Sequence, residues 1–216
     1  KPSGIGFFIG SQGTLLTTGS SIAGANKIRI KFSNGETEPV KLIREFIVYK
    51  IAILKPTNPS FSVSKPLLFD GNHSFKEGDT VYAVDFLKLK TPKPFVFKGK
   101  ILKENALENS DKVVQLGLEM RKGHDGGPLF NNQGKVIGLM LGKPTAQKSF
   151  TYLKGSPEKE SFAIKSSYLE KLLSGLGYIK TQRDHTLGDT NFNSGVNLNN
   201  LSQKAIRNFV FLETFN

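Results

Sequence analysis

The chain has 216 residues, of which 38% are hydrophobic and 22% are charged, as is ordinary for a globular protein with a buried core. It contains no cysteine, which excludes disulfides, thiolate metal sites and cysteine nucleophiles. The formal net charge of +12 and the pI near 9.8 indicate an anionic partner, such as nucleic acid, an acidic membrane surface or an acidic protein, or else a basic surface that only aids solubility.

The first half of the chain consists of short apolar segments separated by turn-forming residues. Strands are predicted over residues 4–9, 15–18, 27–32, 40–43 and 47–54. The segment 27–32 alternates strictly between polar and apolar residues, the pattern of a half-buried strand. Asn34-Gly35 predicts a hairpin turn after it, because this pair readily adopts positive φ angles.

The second half continues the same pattern after a Lys- and Pro-rich stretch. Strands are predicted over residues 81–84, 95–97, 99–102, 113–118, 129–130, 136–141 and 162–164. Ser167 and Glu170 then fit a capping box at the start of a helix. Apolar residues at helical spacing predict an amphipathic helix over 201–212. Short, regularly spaced strands with Gly and Pro between them predict an all-β barrel or sandwich.

The loop over residues 121–130 carries the strongest local signal. Gly123 and the pair Gly126-Gly127 permit backbone conformations that a side chain would forbid, so several amide N–H groups can converge on one point. Pro128-Leu129-Phe130 follows directly and predicts a buried strand. The sequence therefore predicts a tight loop that is built to meet a negatively charged or polarised oxygen.

Four segments, in this order, resemble the trypsin-like serine proteases, and most closely the HtrA/Deg branch. Residues 4–9 are similar to the opening strand G-S-G-F-I-I, and residues 15–25 to I-L-T-N-N-H-V-V-x-G-A. Residues 49–55 are similar to T-D-I-A-L-L-K, and residues 123–129 to G-N-S-G-G-P-L. The resemblance implies an all-β fold of two six-stranded antiparallel barrels of the chymotrypsin type, with a short C-terminal helix and an extra tail.

The resemblance also implies a division of the chain. We expect a first barrel over residues 1–87, a linker over 88–94, a second barrel with its closing helix over 95–176, and a tail of loop and amphipathic helix over 177–216. The family's usual places, the periplasm, the cell envelope and organelles, are the only indication of location.

The chain departs from the family at each position of the catalytic triad. In the register of the resemblance, Ser20 stands at the histidine position, Lys50 at the aspartate position and Asp125 at the serine position. The family mechanism needs a nucleophile, a base and a carboxylate that orients the base. We therefore expect a catalytically inactive relative without cofactor or metal, in which Lys50 and Asp125 form an ion pair across the space left by the imidazole.

The expected function is to bind or scaffold a protein or peptide. The expected vestigial oxyanion loop is Gly123, His124 and Asp125. The expected peptide-accepting edge of the cleft is Leu139, Met140, Leu141, Gly142 and Lys143, which would bind an extended peptide as an added strand. The alternative is that loss of chemistry left a closed cleft and that the protein uses another surface.

Three further interpretations remain open on the sequence. Six lysines in a short stretch predict a basic patch for a polyanion, namely Lys88, Lys90, Lys93, Lys98, Lys100 and Lys103. Ser20 and Lys50 would form a Ser/Lys dyad for hydrolysis if Lys50 were desolvated, although the neighbouring Asp125 opposes this. His124 and Asp125 provide only two ligands for a metal ion, which is too few without a third.

Overall fold

The structure is a computed structural model that describes residues 3–86, 94–106, 110–119, 125–141, 161–178 and 197–215. In these ranges the chain forms two closed barrels, each with six antiparallel strands. Two α-helices, α1 (Ser166–Gly175) and α2 (Leu198–Asn208), pack against the barrels. The predicted all-β, two-barrel architecture is confirmed.

The first barrel takes five strands from the beginning of the chain and one from its end. These strands are β1 (Gly4–Phe8), β2 (Leu15–Thr18), β3 (Lys27–Lys31), β4 (Thr37–Phe46), β5 (Ile51–Pro56) and β12 (Phe209–Phe215). Around the barrel they follow the order β1-β12-β3-β4-β5-β2. Buried aliphatic and aromatic side chains such as Leu15, Ile30 and Leu54 fill its interior.

The second barrel is formed by the middle of the chain. Its strands are β6 (Thr80–Phe86), β7 (Pro94–Lys103), β8 (Val113–Gly117), β9 (Pro128–Phe130), β10 (Val136–Leu141) and β11 (Ser161–Lys165). They follow the order β10-β11-β8-β7-β6-β9 around the barrel. Its interior contains Val81, Ile101 and Leu116, and a separate, larger cluster of buried side chains lies where the two barrels meet.

Two boundaries of the expected division differ from the structure. β6 belongs to the second barrel, because it pairs with β7 and β9. β12 lies in the first barrel between β1 and β3, whereas a helix was expected to run on to residue 212. The helix α2 ends at Asn208, after which Phe209 and Phe211 face the cluster between the barrels while Val210 and Leu212 face the first barrel's interior.

The start of α1 also differs from the expectation. The helix begins at Ser166 with Lys165 as its N-cap residue, and no side chain caps its first amides. The Ser166 hydroxyl instead donates a hydrogen bond to the carbonyl oxygen of Asp70 at 2.6 Å. The predicted capping box is therefore wrong, because Ser167 already lies inside the first turn. Among the described helices, none is long and apolar enough to cross a membrane.

Candidate functional site

The candidate site lies between the barrels, where residues 125–127 contact β1 and β2. The backbone N–H of Ile5 donates to the carbonyl oxygen of Asp125 at 3.0 Å, and the Thr17 hydroxyl donates to the carbonyl oxygen of Ile5 at 2.7 Å. On the other side, the N–H of Gly126 donates to the carbonyl oxygen of Met140 at 3.1 Å. The loop that precedes β9 is thus fixed to both barrels by backbone hydrogen bonds.

Gly126 is required by both its conformation and its surroundings. Its φ is +88°, in the left-handed region that side chains disfavour. A Cβ atom at this position would overlap the carbonyl oxygen of Ile5 and the hydroxyl of Thr17. The glycine of the sequence motif therefore lets the loop approach the first barrel closely, as its composition predicted.

Ser20 meets Asp125 across the boundary between the barrels. Ser20 lies on a single 3₁₀ turn, Gly19–Ser21, which follows β2 directly. Its hydroxyl donates a hydrogen bond to the carboxylate of Asp125, and this contact is exposed to solvent. The two side chains are 105 positions apart in sequence, yet the fold brings them into direct contact.

Further hydroxyl groups continue this contact into the first barrel. The Ser20 oxygen lies 3.1 Å from the Thr18 hydroxyl, which in turn lies 2.9 Å from the buried Ser21 hydroxyl. Because a hydroxyl carries one proton, donation from Ser20 to Asp125 leaves the Ser20 oxygen to accept from Thr18. The result is a polar chain in which three hydroxyls point their protons towards one carboxylate.

Lys50 lies beside the same turn. Its carbonyl oxygen accepts a hydrogen bond from the N–H of Gly19 at 2.8 Å, and its backbone is left-handed with φ of 51°. The fold therefore brings all three positions predicted from the resemblance to one place. The expected ion pair between the ammonium of Lys50 and the carboxylate of Asp125 stays a prediction.

The two-barrel fold that holds this site agrees with what comparisons with known proteins find. The model of the family described as "Trypsin-like peptidase domain" matches residues 4–139. The chain belongs to the trypsin-like peptidases. The match covers most of both barrels, including Ser20, Lys50 and Asp125.

The similar proteins of known name belong to the HtrA branch. The chain is 26% identical over 170 residues to the serine protease Do-like HtrB of Bacillus subtilis, which covers 75% of the chain and 35% of that protein. It is 28% identical over 161 residues to the serine protease HTRA1A of Danio rerio, covering 68% of the chain and 32% of that protein. The chain thus spans about a third of these relatives.

A solved structure supports the fold on its own. It is described as the HtrA-type protease AlgW with decapeptide, and it matches with a TM-score of 0.62 at 19% sequence identity. The match covers 80% of this chain and 51% of that one. At this level of identity the likeness establishes the shared two-barrel fold.

The predicted peptide-accepting edge is wrong at Leu139 and Met140. Both are buried in β10, with β11 on one side and β9 or the loop before it on the other. Leu141 pairs with Phe162 of β11, and its other side stays a prediction. The N–H and carbonyl of Met140 are already bonded to Gly127 and Gly126. Gly142 and Lys143, the rest of the predicted edge, lie outside the described residues. The apolar run did not reveal the second partner, because buried edge and buried interior strands have the same composition.

Of the remaining predicted residues, some lie within the described ranges and others lie outside them. Lys98 and Lys100 are exposed on β7, as predicted from the alternation of that strand, and Lys103 at its end is exposed too. Lys88, Lys90 and Lys93 lie outside the described residues, and so do Gly123 and His124 of the expected oxyanion loop. Within the described ranges, no three His, Cys, Asp or Glu residues are grouped as metal ligands.

A second polar cluster, which no motif in the sequence indicated, lies next to the site. The ammonium of Lys112 donates a hydrogen bond to the hydroxyl of Tyr49 at 2.7 Å, and it lies 5.1 Å and 5.3 Å from the ring centroids of Tyr49 and Tyr168. The hydrogen bond from Lys112 lowers the pKa of Tyr49, whereas burial raises the pKa of Tyr168 to about 12. Tyr49 directly precedes Lys50, so this cluster supports the turn that holds one of the three candidate positions.

Proposed function

We propose that this trypsin-like domain has no proteolytic activity and that it binds a protein or peptide without cleaving it. The observation that carries the proposal is the hydrogen bond from the Ser20 hydroxyl to the Asp125 carboxylate. In the register of the resemblance, these two positions belong to the catalytic base and the nucleophile. Here they hold an alcohol and a carboxylate that are bonded to each other.

The chemistry of the three side chains supports the loss of activity. A serine hydroxyl cannot accept and return a proton at neutral pH as an imidazole does, so Ser20 cannot act as the base. A carboxylate at position 125 adds negative charge where an acyl-transfer reaction develops an oxyanion, which opposes the transition state. Lys50 cannot orient a base as a carboxylate would, because an ammonium only donates hydrogen bonds.

Two observations support a retained binding role. The loop at residues 125–127 and both barrels keep the architecture of a family whose members handle polypeptides. The structurally similar AlgW is described with a decapeptide. Since Met140 is bonded to the loop, an extended peptide that adds to the described part of this strand would do so at Leu141.

The loss of activity is tested with a fluorophosphonate probe and a fluorogenic protein substrate. We expect neither labelling nor cleavage by this chain, and robust labelling of the protease domain of the Bacillus subtilis relative under the same conditions. Labelling that is lost in Ser20→Ala would instead support the Ser20/Lys50 dyad and contradict the proposal. Cleavage that survives this change would also contradict it.

The binding role is tested separately, with labelled extended peptides of about ten residues and fluorescence anisotropy. We expect saturable binding that competition with unlabelled peptide reverses, and intact peptide by mass spectrometry after prolonged incubation. Absence of binding across a diverse peptide library, together with absence of cleavage, would leave an inactive domain that uses another surface and would contradict the binding role.

A polyanion is the second candidate partner, and the exposed lysines of β7 are the observation that favours it. Lys98, Lys100 and Lys103 lie on one strand of a chain with a net charge of +12. If they contact phosphates of a nucleic acid duplex, the logarithm of the binding constant falls with the logarithm of the salt concentration by about 0.9 for each phosphate contacted. The variant Lys98→Glu/Lys100→Glu should then lower this slope, whereas Lys27→Glu/Lys65→Glu, at exposed positions outside β7, should change it less.

A further inference from the structure

The turn between β4 and β5 exposes two large apolar side chains. Ile47 is 80% exposed and Val48 is 76% exposed, well above every other large apolar residue in the described part of the chain. Leu42, earlier on β4, adds a side chain that is 44% exposed. The packing of the barrel does not explain exposure of this degree at two adjacent β-branched residues, and it leaves their apolar surface available for a contact.

The residues on both sides hold this tip in place. Phe46 pairs with Ile51 across the hairpin, and the N–H of Lys50 donates to the carbonyl oxygen of Ile47 at 3.2 Å. Phe46 and Tyr49 both pack against the cluster of buried side chains between the barrels. Ile47 and Val48 are therefore presented outwards on a 3₁₀ turn whose neighbours are anchored, and they gain no burial by a small movement of the turn.

The charges around the tip are mainly positive. Arg44 is exposed on β4 three residues before Ile47, Lys50 ends the turn, and the ammonium of Lys112 is bonded to the Tyr49 hydroxyl. The acidic residue nearest in sequence, Glu45, places its carboxylate against Gly19 on the side of the candidate site. The tip thus combines an apolar end with a basic collar, on a chain whose net charge is +12.

We propose that this hairpin tip docks on an anionic membrane surface, with Ile47 and Val48 inserted among the lipid headgroups and with Arg44 against lipid phosphates or carboxylates. A two-residue tip is too small for a stable protein interface, which buries roughly 1,000 Å² or more. Interfacial insertion needs only a few apolar side chains together with cations that anionic lipids attract. The proposal does not depend on the proposed peptide-binding role, since it rests only on the exposure and the charges of the hairpin tip.

The sequence contains no tryptophan, so Val48→Trp places a single tryptophan at the tip, and the fluorescence of that residue is measured. The full chain is mixed with vesicles of phosphatidylcholine containing about a third phosphatidylserine. We expect a blue shift of the emission and quenching by brominated acyl chains. Leu198→Trp places the same fluorophore at a position that is 50% exposed on α2, and it should show neither effect.

Co-sedimentation with the same vesicles measures the contribution of the native side chains. We expect Ile47→Ser/Val48→Ser to weaken binding about tenfold or more, since both changes remove apolar surface that would be inserted. Leu176→Ser/Leu198→Ser, at exposed sites elsewhere, should leave binding unchanged. Two results would overturn the proposal: no binding of the unaltered chain to anionic vesicles, or binding that is equal in the tip variant and so rests on charge alone.

Discussion

The ammonium of Lys112, which lies just before β8 in the second barrel, is hydrogen-bonded at 2.7 Å to the hydroxyl of Tyr49, on the turn after β4 in the first barrel. The ring of Tyr168 on α1 lies 4.7 Å from the ring of Tyr49, centroid to centroid. One cation and two aromatic rings thereby connect three separate elements next to the candidate site. This connection resists a change in the relative position of the barrels.

We expect Lys112→Met to lower the free energy of unfolding. The change keeps most of the aliphatic length but removes the hydrogen bond to Tyr49 and the cation–π contacts to both rings. Urea denaturation followed by circular dichroism measures the effect. Lys103→Met, at an exposed position on β7, is the matched control and should have little effect. Equal midpoints for the two variants would show that the contact does not stabilise the fold.

Tyr168 should make the protein less stable at alkaline pH. Burial raises the pKa of Tyr168 to about 12, whereas an unfolded tyrosine titrates near 10. As the pH rises from about 10 to 12, the unfolded chain therefore loses this proton more readily, and the free energy of unfolding falls. Tyr168→Phe should reduce this loss in denaturation curves measured across that range.

Lys112 also contributes to the pH dependence of stability at alkaline pH. Its hydrogen bond to Tyr49 raises the pKa of Lys112, so the free energy of unfolding falls at high pH for this reason too. The Lys112→Met variant serves as the control, since it should keep the part of the slope that belongs to Tyr168. Tyr49 has a lowered pKa, and its contribution rises with pH below 10, outside this window. An unchanged slope in Tyr168→Phe would contradict the assignment.

Gly126→Ala should destabilise the protein more than an alanine at another left-handed glycine. The change forces an unfavourable φ, which costs about 1–2 kcal/mol, and it also drives a Cβ into the carbonyl oxygen of Ile5. We expect a total loss of about 3 kcal/mol or more. Gly35→Ala is the control, because Gly35 has a similar φ of +93° with nothing within 4 Å of an added Cβ. Similar losses of stability in both variants would show that the loop relieves the overlap at Gly126 without a cost in free energy.

His73 should make the fold less stable in acid. Burial lowers the pKa of His73, although Asp70 and Asp79 oppose this shift. Its Nε2 atom is buried with no hydrogen-bond partner in the structure, so a second proton would find no acceptor there. As the pH falls below about 6.5, the unfolded chain takes up the proton first, and the free energy of unfolding decreases.

His73→Phe should remove that part of the pH dependence, measured by urea denaturation between pH 5 and pH 8. Phenylalanine preserves a flat ring against Phe75, whose centroid lies 4.7 Å from that of His73. Lys76→Gln, at a nearby exposed position, should keep the slope of the unaltered chain. A variant slope equal to that of the unaltered chain would assign the acid sensitivity to other groups.

The resemblance to a known family allowed the fold and the centre of the site to be predicted. Its register placed Ser20, Lys50 and Asp125 together, and the structure brings the Ser20 hydroxyl to Asp125 and the Lys50 carbonyl to Gly19. The local glycine pattern also predicted the close approach at Gly126. These features follow from short segments whose spacing and backbone requirements are visible in the sequence.

Other features depend on long-range pairing that the sequence does not display. Residues 209–212 are all buried, so the strand shows no alternation and continues the apolar spacing of the preceding helix. The apolar composition of Leu139 and Met140 did not reveal that each has a backbone partner on both sides. Lys112, Tyr49 and Tyr168 are distant in sequence, and no motif connects them.

The position of β12 has a consequence for the order of folding. Because Phe209–Phe215 fills the place between β1 and β3, the five earlier strands of this barrel cannot close it until β12 has been synthesised. The second barrel, whose strands are contiguous in the chain, has no such delay. We therefore expect the middle of the chain to fold first during synthesis, while the edges of β1 and β3 stay open to other strands or to chaperones.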